Sequence, residues 1–142
     1  MTEKVYVATK ALINCDDRVL ILRESEDYTD GSNKGYFDVV GGRVGFGQNI
    51  FKNLRREAKE EAGLDIEIIE PFFTDTWHPI IKGEQASVSG IFFNCYAQTD
   101  KVRLSKDHDK YLWIMPTHHK YHTLIPNLHR VFDAYIEKYL KK

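Results

Sequence analysis

The stretch NIFKNLRREAKEEA (49–62) constrains the fold of this chain more than any other, because it predicts a helix between segments that favour strands. Its apolar residues recur at helical spacing and form one face: Ile50, Phe51, Leu54, Ala58 and Ala62. Gly63 follows where a helix usually ends, since glycine readily adopts the left-handed conformation of a C-terminal cap. The sequence therefore predicts a helix over 49–62.

Segments rich in β-branched and apolar residues surround this helix and predict a sheet. Polar residues 24–35 predict an exposed loop, and 77–85 a turn or loop between two strands. A second amphipathic helix is predicted from Pro126 onward, with its apolar stripe packed in the core. The predicted strands are 5–14 and 18–24, which form a hairpin around Cys15-Asp16-Asp17, then 36–44 with a break at Gly41-Gly42, 65–73, 86–98 and 111–115.

These elements predict an α/β fold in which a mixed β-sheet is sandwiched between α-helices, within a single domain over 1–142. A length of 142 residues, 42% of them hydrophobic, suits one globular core. The two cysteines, Cys15 and Cys95, are far apart in apolar surroundings and predict buried, reduced thiols.

The charge balance argues against a nucleic-acid partner, because 20 basic residues stand against 21 acidic ones and the net charge is -1. No stretch approaches the ~20 consecutive apolar residues of a membrane span, and the first residues do not read as a signal peptide. We therefore expect a cytoplasmic protein with no membrane partner.

The predicted first helix carries three carboxylates on one face, since Glu57, Glu60 and Glu61 are three and four residues apart. Like charges at this spacing destabilise a helix. One interpretation is a solvated face neutralised by the neighbouring basic residues. The other is a divalent-cation site, because Mg²⁺ binds carboxylate oxygens and keeps waters that substrate phosphates can replace.

The stretch GRVGFGQNIFKNLRREAKEEAGL (42–64) resembles the signature of the Nudix hydrolases, the MutT-like family. That pattern consists of a glycine, five intervening residues, a glutamate, seven intervening residues, and then Arg-Glu-apolar-any-Glu-Glu-any-Gly-apolar. This chain meets eight of the nine specified positions with the spacing intact. At the ninth, Gln48 stands where the family has glutamate.

The resemblance implies the Nudix fold and hydrolysis of a nucleoside diphosphate linked to another moiety, with Mg²⁺ or sometimes Mn²⁺. It implies that Glu57, Glu60 and Glu61 hold the metal near Gly42, and that Arg56 orients a carboxylate. A small-molecule nucleotide is then the partner, and a homodimer is compatible with the family. The substrate classes open are nucleotide sugars, ADP-ribose and nucleoside triphosphates.

Gln48 keeps the length and an acceptor oxygen of glutamate but loses its charge. We interpret it as tuning the activity. The alternative is a nucleotide-sensing module with weakened catalysis, because Gly45 and Val40 also differ from residues that are frequent in the family.

The base that activates water has three candidates. Glu57 or Glu61 would serve as helix carboxylates do in some family members. His108 lies in RLSKDHDKYLWI (103–114), which is similar to a segment of GDP-mannose hydrolases in which a histidine acts as the base. The alternative for His108 is a hydrogen bond to loop backbone.

Aromatic residues predict a platform for a nucleobase, with core packing as the alternative for each. Pro79 stands where relatives acting on ADP-ribose often have proline, and Glu84 is a candidate extra carboxylate at the substrate site. The histidines of PTHHKYHTLIP (116–126) are interpreted as exposed polar residues without a role. The aromatic candidates are Tyr28, Phe37 and Trp77, with Tyr36 and His78 beside them.

Overall fold

The structure is a computed structural model that describes residues 3–26 and 33–141. Its helices are α1 (Ile50–Ala62) and α2 (Asn127–Tyr139), with a 3₁₀-helix at Pro116–Tyr121. Its strands are β1 (Lys4–Cys15), β2 (Arg18–Glu24), β3 (Phe37–Asp38), β4 (Val40–Arg43), β5 (Glu67–Trp77), β6 (Ile80–Ile81), β7 (Glu84–Tyr96) and β8 (His108–Ile114).

The sheet is mixed, as the sequence predicted. β1 and β7 run parallel through its centre, from Lys4 opposite Ala86 to Asn14 opposite Tyr96. The pairs of β1 with β2, β1 with β4, β2 with β8 and β5 with β7 are antiparallel. The predicted hairpin of the first two strands is confirmed, with Cys15 paired to Arg18.

One face of the sheet packs on α1. Leu54, Ala58 and Ala62 are fully buried there against Ile13 and other strand residues. The predicted ends of this helix are confirmed, because Asn49 Oδ1 accepts from the backbone N–H groups of Phe51 and Lys52 at 3.0 Å, and Gly63 caps the C-terminus at φ 70°.

The other face packs on α2, which buries Leu128, Val131 and Phe132 against Leu12 and Phe92. Alternate residues of the central strands point to opposite faces, so each strand serves both cores. The prediction of a mixed sheet sandwiched between helices is confirmed. Both cysteines are buried free thiols, and burial raises the pKa of Cys95 to about 12.

Two strand predictions need correction. The break in 36–44 falls at Val39, and Gly41 and Gly42 lie inside β4. The region 77–85 is largely a hairpin, in which β6 pairs with β7 around Lys82 and Gly83. Both turn residues have positive φ, 50° and 79°, which matches the twist of a tight two-residue turn.

The interpretation of the histidines as exposed polar residues is wrong for His119, which is 2% exposed. Its two ring nitrogens lie 2.9 Å from His129 Nδ1 and 2.9 Å from Asp133 Oδ1, so both nitrogens have partners. This acidic partner could not be predicted from the local sequence, because Asp133 is fourteen residues away and reaches His119 from α2. His119 therefore helps to fix the 3₁₀-helix on α2.

Within the described residues, no helix is long and apolar enough to cross a membrane.

Candidate active site

Two carboxylates of α1 meet the glycine pair of β4. Glu57 is 9% exposed, and a Cβ at Gly42 would lie 2.7 Å from its Oε2. Glu61 Oε1 accepts a hydrogen bond from the Gly41 backbone N–H at 3.3 Å. The absence of a side chain at position 42 thus leaves the space that the Glu57 carboxylate occupies.

Glu57 and Glu61 lie close enough to perturb each other. Burial raises the pKa of Glu61 well above its usual range, and a hydrogen bond with Glu57 raises it further, while the charge of Lys10 acts in the opposite direction. Two adjacent buried carboxylates cannot both ionise cheaply unless positive charge is brought to them. A bound divalent cation would supply that positive charge.

Glu60 points elsewhere in this structure. Its carboxylate lies 2.9 Å from Arg56 Nη1 in an exposed pair. The second Arg56 nitrogen donates to Asn53 Oδ1, and Asn53 Nδ2 donates to Glu57 Oε1 at 2.9 Å. Arg56 therefore orients Glu57 through Asn53, a residue that the sequence analysis did not single out.

The carboxylate oxygens of Glu57 and Glu61 lie together beside Gly42. Such oxygens are the ligands that a hard divalent cation prefers, so the residues present fit a metal of this kind. In the described part of the chain, no three His, Cys, Asp or Glu side chains converge as a complete ligand set. Of the predicted metal residues, the structure brings together Glu57, Glu61 and Gly42, and it places Glu60 with Arg56.

A cavity of about 470 Å³ opens beside the glycine pair. Its apolar wall includes Trp77, Pro79 and Phe92. Its polar lining includes Lys10, Asn33, Asp38, Arg43, Lys82 and Asn127. A flat aromatic ring, amide groups and cationic side chains are what a nucleotide-sized anion requires.

Besides lining the cavity, Asn127 has a buried amide nitrogen without a partner in the described part of the chain, which favours a binding role. Its Nδ2 is buried and lacks a hydrogen-bond partner within the described residues. Buried polar groups normally have partners, so an amide donor left open on a cavity wall suits a ligand acceptor. The sequence offered no pattern for this residue, because its placement depends on how α2 begins beside the sheet.

Lys10 is a charged residue in the middle of a buried strand. It is 8% exposed, its Nζ lies 3.0 Å from Asp38 Oδ2, and both residues line the cavity. Burial lowers the pKa of Lys10, but the charges of Asp38, Glu61 and Glu57 outweigh that effect and leave the pKa raised. The ammonium therefore stays protonated and lies near the carboxylates of α1.

His108 begins β8 opposite Glu24, near Lys10 and Asp38. Burial lowers its pKa, the charge of Asp38 raises it, and that of Lys10 lowers it again, with a net decrease. Its Nδ1 is buried without a partner among the residues described. The ring therefore does not bond loop backbone through Nδ1, and it is predominantly neutral near pH 7, the form a general base requires.

The family model of the NUDIX domain matches residues 4–135 of the chain. The chain belongs to the Nudix family. The prediction of a Nudix hydrolase is thereby confirmed at the level of family and enzyme class. No curated protein matches the sequence.

Solved structures of Nudix proteins share the fold. The MutT protein from Methanosarcina mazei Go1 superposes with a TM-score of 0.84 at 24% identity, covering 100% of this chain and 99% of that one. The ADP-ribose pyrophosphatase from Streptococcus suis 89-1591 gives 0.59 at 20% identity over 79% and 75%. The C. elegans Ap4A hydrolase gives 0.67 at 20% identity over 92% and 94%.

Gln48, which departs from the Nudix signature, folds back on its own loop. Its Oε1 accepts a hydrogen bond from the Gly45 N–H at 2.6 Å. A Cβ at position 45 would lie 3.0 Å from the same oxygen. Gly45 thus leaves room for this bond, and two of the three departures from the family pattern, Gly45 and Gln48, are in contact.

Of the remaining candidate substrate residues, some line the cavity in the structure and others do not. Trp77 lines the cavity, whereas Phe37 is 8% exposed and packs in the core against α2. Glu84 lies beyond the cavity lining, at the β6–β7 hairpin opposite Ile81. Tyr36 is exposed outside the lining of the cavity, and Tyr28 lies outside the described residues.

Proposed function

We propose that this Nudix enzyme is a Mg²⁺-dependent pyrophosphohydrolase that cleaves a nucleoside diphosphate linked to another moiety. The observation that carries the proposal is the pair Glu57 and Glu61, held against Gly41 and Gly42 at the edge of the cavity. Solved neighbours named as an ADP-ribose pyrophosphatase and an Ap4A hydrolase support a phosphoanhydride substrate.

Glu57 and Glu61 would hold the cation, Mg²⁺ or Mn²⁺, which supplies neutralisation of phosphate charge and acidification of water. Asn53 and Arg56 keep Glu57 oriented. Trp77 offers a stacking face for the base, and the open Nδ2 of Asn127 a donor for it. The cavity, which opens beside Gly42, would bring the phosphoanhydride to these two carboxylates.

Hydrolysis forms one bond between phosphorus and the water oxygen and breaks the bridging P–O bond. The electron pair of that bond stays on the leaving phosphate oxygen. The water proton passes to a base, for which His108 is one candidate, because its buried Nδ1 has no partner among the described residues and burial lowers the pKa of its ring. Glu57 and Glu61 are the other candidates, and each would have to combine this role with holding the cation.

The experiment is a hydrolysis screen with and without Mg²⁺ over nucleotide sugars, ADP-ribose, dinucleoside polyphosphates and nucleoside triphosphates. Glu57→Gln and Glu61→Gln are expected to lower turnover more than about 100-fold, because several kcal/mol of charge stabilisation is lost. Glu60→Gln tests whether Glu60 leaves Arg56 to join the site. Glu137→Gln on α2, where Glu137 pairs with Lys141 at 3.1 Å, is the matched control.

Unchanged turnover in both Glu57→Gln and Glu61→Gln would contradict the proposal. A nucleotide-sensing module is the second candidate, favoured by the way Gln48 and Gly45 bond each other in the signature loop. That candidate predicts that nucleotides raise the melting temperature without any product appearing. The cytoplasmic location, the homodimer, the absence of nucleic-acid and membrane partners, and the single domain over 1–142 stay predictions.

A further inference from the structure

Lys10 stands where its strand would ordinarily carry an apolar residue. On β1, residues 8, 10 and 12 share one side of the strand, and the two that flank Lys10, Ala8 and Leu12, are 3% and 0% exposed. An ion pair placed here is weak evidence for stability, because replacing a buried pair with apolar groups is often neutral or stabilising. The charge at position 10 therefore calls for a functional explanation.

Lys10 and several of its neighbours line the cavity. Lys10 and its partner Asp38 both line the cavity, and the Lys10 ammonium lies 3.0 Å from the Asp38 carboxylate. Arg43 and Lys82 line the same space, and the Arg43 guanidinium is held 4.8 Å from the centre of the Tyr6 ring. Three cations against one carboxylate make this lining attractive to an anion.

The position of Lys10 relative to α1 indicates which kind of anion it would bind. Its ammonium lies near enough to Glu57 and Glu61 for their charges to act on it. A phosphate group bound at those carboxylates through a cation therefore comes within the field of Lys10. A compact ammonium with three donors suits the non-bridging oxygens of such a group.

We propose that Lys10 is a catalytic residue that binds the non-bridging oxygens of the substrate's phosphoanhydride, exchanging its bond with Asp38 for one with phosphate. This inference rests on the proposed function, because it assigns a residue to the same site. Asp38 then keeps the ammonium in place before substrate arrives and competes with the phosphate for it.

The test measures binding of inorganic pyrophosphate with Mg²⁺ by calorimetry, alongside turnover of the substrate found in the screen. Lys10→Met keeps the length of the side chain and removes its charge, and it is expected to weaken pyrophosphate binding about 10- to 100-fold. Lys10→Arg is expected to recover part of that loss. Lys138→Met is the matched control, since Lys138 is also ion-paired, at 3.4 Å from Glu70, but on α2.

Asp38→Asn tests the proposal even if Lys10→Met fails to fold. The amide removes the competing charge and leaves the ammonium in place, so pyrophosphate is expected to bind about three- to tenfold more tightly. Unchanged or weaker binding in Asp38→Asn, or wild-type affinity in folded Lys10→Met, would overturn the assignment.

The two proposals fail in distinguishable ways. Wild-type turnover with normal kinetics in Lys10→Met removes the Lys10 assignment and leaves the hydrolase. Absence of turnover from the wild type across the panel, with pyrophosphate binding that still depends on Lys10, contradicts the proposed pyrophosphohydrolase function and leaves Lys10 as an anion-binding residue.

Discussion

Asn53 Nδ2 donates a hydrogen bond of 2.9 Å to Glu57 Oε1, and its Oδ1 accepts one from Arg56. Both groups of one amide are thus used, and Asn53 is 4% exposed. A buried amide that joins a cation to a carboxylate fixes the orientation of that carboxylate more firmly than an exposed ion pair would. Glu57 therefore depends on a neighbour outside the signature residues.

We expect Asn53→Ala to lower the free energy of unfolding by about 1–3 kcal/mol, because Glu57 loses its buried donor. Turnover should fall about 10- to 100-fold, as when a metal ligand loses the partner that orients it. Denaturant unfolding and kcat measure the two effects. Glu137→Gln is the comparison, since it alters only an exposed ion pair with Lys141 on α2. Equal turnover in Asn53→Ala and the wild type would show that Glu57 holds its position unaided.

The sequence was informative where a structural preference is local. The periodicity of 49–62 and the following glycine predicted α1 and both of its ends. The alternation of strands and helices predicted the layers. The resemblance in 42–64 placed Gly42 at the metal site with Glu57, and the structure brings the two together although they are 15 positions apart in the sequence.

The features that it missed depend on pairing between distant segments. Lys10 and Asp38 are 28 residues apart and meet only through the sheet. His119 is buried because α2 brings His129 and Asp133 to it. A lysine inside the apolar run VATKALIN was the available signal for the first pair, since a lone charge in a buried strand rarely serves packing.

Gln48 gives a prediction about the altered signature position. Gln48→Ala removes the oxygen that accepts the Gly45 N–H in the loop before α1. The free energy of unfolding should therefore fall by about 0.5–1.5 kcal/mol, and turnover should fall as well. Gln48→Glu keeps an acceptor and strengthens it by charge, so turnover should equal or exceed that of the wild type. Thermal unfolding and kcat check both. Activity in Gln48→Glu with none in the wild type would instead favour the sensing module.

His108 predicts a pH dependence. Its pKa is lowered from 6.5 by burial, so the neutral ring persists as pH falls below 6.5 and is lost only as pH passes through the lowered value. If His108 is the base, kcat/KM should stay level down to about pH 6.5 and decline in more acidic buffer. His108→Gln should lower kcat about 10²- to 10⁴-fold and remove that decline. An unchanged acidic limb in His108→Gln would shift the role to Glu57 or Glu61.

The position of Trp77 depends on a glycine across the sheet. Trp77 pairs with Val88, two residues before Gly90 on β7, and a Cβ at position 90 would lie 2.6 Å from the Trp77 ring. The ring can lie over β7 and reach the cavity only because that Cβ is absent. Gly90→Ala should therefore displace the ring without changing any polar residue of the cavity.

Base stacking contributes about 1–3 kcal/mol per base, so Gly90→Ala should weaken binding of ADP-ribose about 5- to 150-fold and leave that of inorganic pyrophosphate unchanged. Calorimetry with both probes in the presence of Mg²⁺ separates the base from the phosphates. Ser89→Ala is the control, because Ser89 Oγ contacts Thr76 at 3.2 Å in an exposed pair rather than Trp77. If Gly90→Ala weakens the binding of both probes equally, position 90 affects the cavity as a whole. If it binds both probes with wild-type affinity, Trp77 does not stack on the base.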